Sequence, residues 1–238
     1  MSNPRLLVVQ TGTAAEVLRR AHGDYPAWFS QALGFEMPVV RAHEGELLGP
    51  ALDTFRPDGV IVTGSPLSVT ENAPWMLQLG ADLLRLGAQG TPVLGVCFGH
   101  QLLARAAGGQ VVQNPRGREI GTITVQLTEA GRKDPLFRSW AQSGVVEAQA
   151  THVDAVDPLP AGAVLLASNE NTAVQAFRLS ETVAGVQFHP ELSAAAARDL
   201  IQSRREKIAA EGLDPDALKS GVRDVAAAEI LRAFASAC

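Results

Sequence analysis

Long hydrophobic runs are missing from this 238-residue chain. Its apolar stretches, such as LLVV, VIV and VLGV, fall well short of the roughly 20 residues a membrane helix requires, so no membrane is expected as a partner. The opening MSNPRLLVVQTG has too short an apolar run for a secretory signal and turns polar at once. Cysteine is scarce: Cys97 and Cys238 are the whole complement. Two cysteines make neither a disulfide framework nor a zinc-site spacing, and a reduced, cytoplasmic setting is the expectation. A long basic block is also lacking, and the net charge is −5, which argues against nucleic acid as a partner. There is no internal repeat and no low-complexity linker. What is present is a composition of 46% hydrophobic and 19% charged residues, enough to bury the core of one α/β domain with an appendage.

Strand-like and helix-like segments alternate through the first half. Residues 5–9, 37–42, 58–64 and 92–96 read as short buried strands. Residues 26–34, 74–90 and 98–109 read as helices; the second opens on Pro74, where the missing N–H is harmless, and the first and third run into a glycine stop. Short apolar strands separated by helices predict a parallel sheet covered on both faces. The second half changes character. Strand-like stretches at 119–127, 145–150, 163–168, 173–179 and 182–188 follow at short intervals, which predicts a small antiparallel portion. From Ala194 onward the chain is helical and charged, broken by GLDPD at 212–216.

One thiol stands in a telling place. In PVLGVCFGHQLLARAAGG (92–109), Cys97 lies where a strand gives way to a helix, with Gly95 and Gly99 on either side. Such junctions at the carboxyl edge of a parallel sheet are where these sheets bind ligands. G-x-C-x-G is the cysteine form of the nucleophile elbow: the nucleophile sits in a strained conformation, and neighbouring Cβ atoms would clash. The helix that follows turns its N-terminus toward the sulfur, which favours thiolate, and the N–H of Phe98 is free to bind an oxyanion. A lone cysteine is ordinarily a core residue; strand, glycines and helix together favour a nucleophile.

A thiol nucleophile usually needs a base, and the base an orienting group. His22 and His43 read as surface residues in loops, and His100, in the first turn of the helix, is expected to point away from the thiol. His189 follows a strand in GVQFHPEL. Pro190 keeps His189 extended, and residues i and i+2 of an extended segment face the same way. Glu191 can therefore hydrogen-bond one imidazole nitrogen while the other faces a thiol.

With these residues assembled, the chain resembles the class I (triad) glutamine amidotransferases over about residues 5–192. The resemblance rests on GVCFGHQLLARAAGG, GVQFHPEL, VTGSP (62–66) and THVDAV (151–156), in the family's order. It implies an α/β fold, flavodoxin-like, with a mostly parallel central sheet flanked by helices, a small antiparallel portion and a helical C-terminal extension. It assigns residues 1–192 to a catalytic domain and 193–238 to the extension, packed on the same domain. It implies that Cys97 attacks a glutamine side-chain amide to give a γ-glutamyl thioester, that His189 transfers the protons and that Glu191 orients His189. Phe98 and Ser65 would donate backbone N–H groups to the oxyanion; Pro66 has none to give. Gly64, Gln101, His152 and Asp154 would contact the substrate. No metal or organic cofactor is implied.

The Gly-Ser-Pro turn departs from the Gly-Gly-Pro or Gly-Pro-Gly common in biosynthetic members, and the chain leaves no room for a synthetase domain. It thus looks like a free-standing member similar to the glutaminase part of GMP synthase, with ammonia passing to a separate synthetase chain. Two alternatives stay open. One is a γ-glutamyl peptide or amide hydrolase using the same triad. The other is a non-catalytic regulatory or assembly subunit, against which the intact Cys97, His189 and Glu191 set argues.

Overall fold

Three apolar runs, Gly59–Val62, Val93–Val96 and Val183–Val186, have every residue buried. They lie side by side and parallel at the centre of a nine-stranded sheet. Burial on both faces is why these strands read as unbroken hydrophobic stretches rather than alternating ones. The computed structural model describes residues 3–238. The chain runs β1 (Leu6–Gln10), α1 (Glu16–His22), α2 (Tyr25–Leu33), β2 (Val39–Arg41), α3 (Leu48–Phe55), β3 (Gly59–Val62), α4 (Pro74–Ala88), β4 (Val93–Val96), α5 (Phe98–Ala106), β5 (Val111–Gln113) and β6 (Glu119–Leu127). It continues through α6 (Glu129–Lys133), β7 (Val145–His152), β8 (Asp154–Val156), β9 (Val164–Ser168), β10 (Ala176–Arg178) and β11 (Val183–Val186). It closes on α7 (Ala194–Ser203), α8 (Arg205–Ala210), α9 (Pro215–Gly221) and α10 (Ala228–Ala237).

The large sheet has the order β2-β1-β3-β4-β11-β10-β9-β6-β7. From β2 to β11 neighbours are parallel; from β11 to β7 they are antiparallel. A separate pair, β5 and β8, is antiparallel. The fold is thus an α/β sheet with helices on both faces and the expected small antiparallel portion. On one face Phe29 of α2 and Ile230, Leu231 and Phe234 of α10 pack with Val8, Ile61, Leu94 and Val186. On the other, Met76 and Leu83 of α4 and Leu102 and Leu103 of α5 pack with Leu7, Val9, Val60 and Val62. Helices α7 to α9 bury Leu200, Ile201 and Ile208 beside Leu18, Trp28 and Ile120. The last 45 residues are therefore split between two jobs: α10 completes the main core, and α7 to α9 form a smaller cluster near β6.

The register of the central strands positions the chemistry. Val62 of β3 lies opposite Gly95 of β4, and Val96 opposite Val186 of β11. Because the three strands are parallel, the segments after them emerge at the same edge: VTGSP after β3, Cys97 after β4 and QFHPE after β11. Among the described residues no helix is long and apolar enough to cross a membrane.

Candidate active site

Cys97 caps α5 at φ 51°, ψ −100°, a conformation non-glycine residues avoid. The turn survives because its surroundings leave it no alternative. The Cys97 N–H donates to Val186 O at 2.9 Å, and its carbonyl accepts from Gln101 N at 3.0 Å. A Cβ on Gly95 would stand 2.5 Å from the Gly99 carbonyl, and one on Gly99 would stand 2.6 Å from Val62 O. The paired glycines of G-x-C-x-G are thus required by close backbone approach, α5 lying directly on β3 and β4. Such strain persists where the structure over-determines it, and it clusters at functional sites.

His189 is fixed from both sides. Its N–H donates to Gln149 O at 2.7 Å, bridging it to β7. Its Nδ1 lies 2.6 Å from Glu191 Oε1, both side chains being buried. Nε2 has no hydrogen-bond partner among the described residues. Gly64 shows where the ring stands: a Cβ there would lie 2.8 Å from His189 Cε1 and 3.5 Å from Cys97 Cβ. Thiol and imidazole therefore meet over Gly64, and any side chain at that position would wedge between them. Burial alone would pull the imidazolium down, but Glu191 first and Cys97 second outweigh it and hold the His189 pKa up at about 10.

Around the sulfur, two amides are unengaged. Neither the Phe98 nor the Ser65 backbone N–H makes a hydrogen bond among the described residues. The Ser65 hydroxyl donates to Thr11 O at 2.8 Å and accepts from Leu67 N at 3.1 Å, which fixes the turn while leaving its own amide free. Gln101 uses its amide nitrogen twice, on Asp154 O at 2.9 Å and Gln187 Oε1 at 3.0 Å, so its Oε1 is the atom left to accept from a ligand.

The other expected contacts are tied more tightly than the sequence suggests. His152 is buried, with Nε2 2.9 Å from Glu119 Oε2 and Nδ1 3.0 Å from Asp154 O. Both ring nitrogens are engaged by acceptors, so His152 shapes the wall rather than presenting a polar atom at the mouth. The Asp154 carboxylate accepts from the Ser68 hydroxyl at 2.5 Å. His100 does point away from the thiol: it packs on Phe177 with ring centroids 4.6 Å apart, and burial drives its pKa down to about 3. His43 is half-buried rather than loose, with Nε2 3.0 Å from Thr13 Oγ1.

Sequence reading passed over Glu119, Arg118, Arg204 and Lys207. Glu119 accepts from His152, from Asn169 Nδ2 at 2.5 Å, from Thr172 Oγ1 at 3.1 Å and from Gln175 Nε2 at 2.6 Å. Burial alone would raise its pKa; these donors, His152 foremost, outweigh it and hold the carboxyl below its ordinary value. An acidic residue that opens an alternating strand, buried at its first position, was the available signal. Glu119→Gln places an NH₂ among donors and removes the charge that His152, Asn169, Thr172 and Gln175 converge on. The expected cost is about 3 kcal/mol, or a melting temperature lower by roughly 6–12 °C for a chain of this size. Because the folded pKa is depressed, this stabilisation is complete above the ordinary carboxylate range and fades as pH falls through the lowered value. Thermal melts should show the wild-type advantage shrinking in acid; an unchanged gap would mean that the carboxylate charge is not what stabilises.

A cavity of about 370 Å³ opens over Cys97. Its wall includes Ser65, Phe98, Gln101 and Thr151, and it continues to Arg118, Arg204 and Lys207. The last two come from the helical segment after residue 193, whose charges gave no hint of position because they share no motif with the elbow.

A family model described as glutamine amidotransferase class-I matches residues 30–204. The chain is 38% identical over 138 residues to a GMP synthase (glutamine-hydrolysing) of Caldicellulosiruptor saccharolyticus, covering 57% of this chain and 25% of that one. It is 29% identical over 186 residues to gamma-glutamyl peptidase 3 of Arabidopsis thaliana, covering 74% and 72% respectively. The chain spans less than two thirds of the length of the first curated relatives it matches. A crystal structure of a glutamine amidotransferase from Thermotoga maritima superposes with a TM-score of 0.76 at 21% identity, covering 98% of this chain and 97% of that one, and so shares the fold. The family match covers most of the chain and includes the elbow, the histidine and the glutamate: the protein belongs to the class-I glutamine amidotransferase family.

Proposed function

We propose that the protein hydrolyses a γ-glutamyl amide, with glutamine as the simplest substrate, through a thioester on Cys97. The observation that carries this reading is the junction of three parallel strands, where the strained cysteine, the His189–Glu191 pair and two unengaged amides share one edge. The Cys97 sulfur, having given its proton to His189, adds to the side-chain carbonyl carbon. The oxyanion is received by the N–H groups of Phe98 and Ser65, each such donor contributing roughly 3 kcal/mol in comparable sites. His189 returns the proton to the leaving nitrogen, and the C–N bond breaks. A water molecule, deprotonated by His189, then attacks the thioester; glutamate leaves and the thiol is restored. Gln101 Oε1 accepts from the α-ammonium of the glutamyl group, Gly64 leaves space for thiol and imidazole to meet, and the Asp154 carbonyl and His152 ring hold Gln101 and the wall in place.

In this reading residues 1–192 carry the chemistry, and the segment 193–238 packs on the same domain. With glutamine as donor, the ammonia serves an acceptor enzyme on a separate chain. Cys97 and Cys238 are both free thiols, which suits a reducing, cytoplasmic setting. One observation favours a second substrate. The cavity continues past the sulfur to Arg204 and the exposed Lys207, leaving room for a leaving group larger than ammonia, as in a γ-glutamyl peptide.

The test is intact-protein mass spectrometry after exposure to an electrophilic glutamine analogue, alongside glutamate release from glutamine and γ-glutamylglycine. One label per chain on Cys97, none on Cys238, and glutamate from at least one donor are expected. An unlabelled Cys97 together with no glutamate from either donor ends the reading.

A further inference from the structure

Arg204 is the feature of the pocket that the triad chemistry leaves without a role. Its guanidinium is largely buried, and its hydrogen bond is to a neutral group, the Thr151 hydroxyl, at 2.6 Å. Among the described residues it forms no ion pair, whereas its neighbour Arg118 donates from Nε and Nη2 to Glu211 at 2.6 and 2.8 Å. A buried cation is stable when matched by an anion and costly when not. Burial lowers the Arg204 pKa, with Arg118 acting in the same direction; the opposing groups are Tyr25, Cys97 and Glu211. Lys207 lines the same cavity. The carboxylate on that wall, Asp154, is already engaged by Ser68. The cavity over the nucleophile thus carries three basic side chains, of which only Arg118 forms an ion pair among the described residues.

We propose that Arg204, assisted by Lys207, is a specificity-determining residue that binds a carboxylate of the γ-glutamyl substrate. The inference rests on the hydrolase reading above and deepens it. A planar guanidinium held by Thr151 on the pocket wall presents its remaining N–H groups as a fork, which matches a carboxylate in two-point contact. Two carboxylates are chemically available. One is the α-carboxylate of the glutamyl group, present in every such donor. The other belongs to the leaving group when that is an amino acid or peptide.

The experiment compares four donors in wild type, Arg204→Gln and Arg204→Lys: glutamine, γ-glutamylglycine, γ-glutamylethylamide and glutamine carrying an α-carboxamide. Arg204→Gln is expected to lower kcat/KM by about 10–100-fold wherever the recognised carboxylate is present, with less than about a threefold change where it is absent, and Arg204→Lys to recover part of the loss. If the α-carboxylate is recognised, the loss spares the α-carboxamide alone. If the leaving-group carboxylate is recognised, the loss is confined to γ-glutamylglycine. An equal loss on all four donors, or no loss on any, overturns the proposal. Lys207→Gln, at an exposed position where folding is not at stake, should show the same pattern at smaller amplitude, and its failure to do so would remove Lys207 from the site. Calorimetric binding of the four donors to Cys97→Ala, with and without Arg204→Gln, separates the two readings. Carboxylate-dependent binding without turnover by wild type defeats the hydrolase and keeps the carboxylate site; binding of none of the four defeats the carboxylate site.

Discussion

Cys97→Ser keeps the protein folded and lowers kcat/KM on its γ-glutamyl donor by about 10⁴–10⁶-fold, the scale on which hydrolases fail when a triad nucleophile is removed. The size follows from the proton inventory of the site. His189 is held protonated through neutral pH, its pKa being about 10, because the buried ring faces Glu191 on one side and Cys97 on the other. That arrangement suits a nucleophile able to exist as an anion beside an imidazolium, as a thiolate does. A serine hydroxyl is not ionised at neutral pH, and an imidazolium has no capacity to deprotonate it. The hydroxyl is nevertheless nearly the size of the thiol, and the elbow is fixed by backbone bonds to Val186 and Gln101 that do not involve the side chain. The stability change should stay within about 1 kcal/mol. Steady-state kinetics and a thermal melt of the same preparation decide the matter. Retention of more than a tenth of the activity would mean that another group attacks the substrate.

The elbow, the His-Pro-Glu segment and the Gly-Ser-Pro turn were legible because each is local. Gly95, Cys97 and Gly99 are specified within one turn of chain, and the clashes that demand the glycines involve the strand and helix that the same stretch encodes. Strands with every residue buried announced the parallel half of the sheet, and β6 was found at its observed bounds, Glu119–Leu127, from its alternation. Short elements escaped. The seven residues of α1 and the eight of α3 carry too little periodicity, and β5 and β8, three residues each, pair only with one another across more than 40 positions. Long-range charge placement escaped for a different reason. Arg204 lies far along the chain from the adjacent Arg118 and Glu119, and each reads as an ordinary surface charge until β6, β7 and α7 are packed. His152 does line the cavity over Cys97; what its neighbours in sequence do not show is that its ring is held by Glu119, which sits on another strand.

Glu191→Gln should lower kcat/KM by about 10²–10⁴-fold, the range found when the residue orienting a catalytic histidine loses its charge. The amide oxygen of glutamine can still accept from His189 Nδ1, so the ring is not set adrift; what disappears is the negative charge 2.6 Å from it. In the wild type burial opposes the imidazolium, and Glu191 is the largest of the groups that outweigh it. Without that carboxylate burial gains ground, and the folded pKa of His189 falls. The consequence is specific in pH. The alkaline limb of kcat/KM, set by loss of the His189 proton, should move from near pH 10 toward neutrality in the variant. Stability follows the same sign: a raised pKa contributes stability that is complete below the ordinary histidine value of 6.5 and is lost as pH climbs through about 10. The melting temperature of wild type should therefore exceed that of Glu191→Gln most at mildly acidic pH, with the two curves converging in alkali. An alkaline limb that stays in place while activity drops would assign Glu191 a purely steric hold on the ring. An unchanged rate would sever the carboxylate from the chemistry, leaving the buried His189–Cys97 contact to account for the raised imidazole by itself.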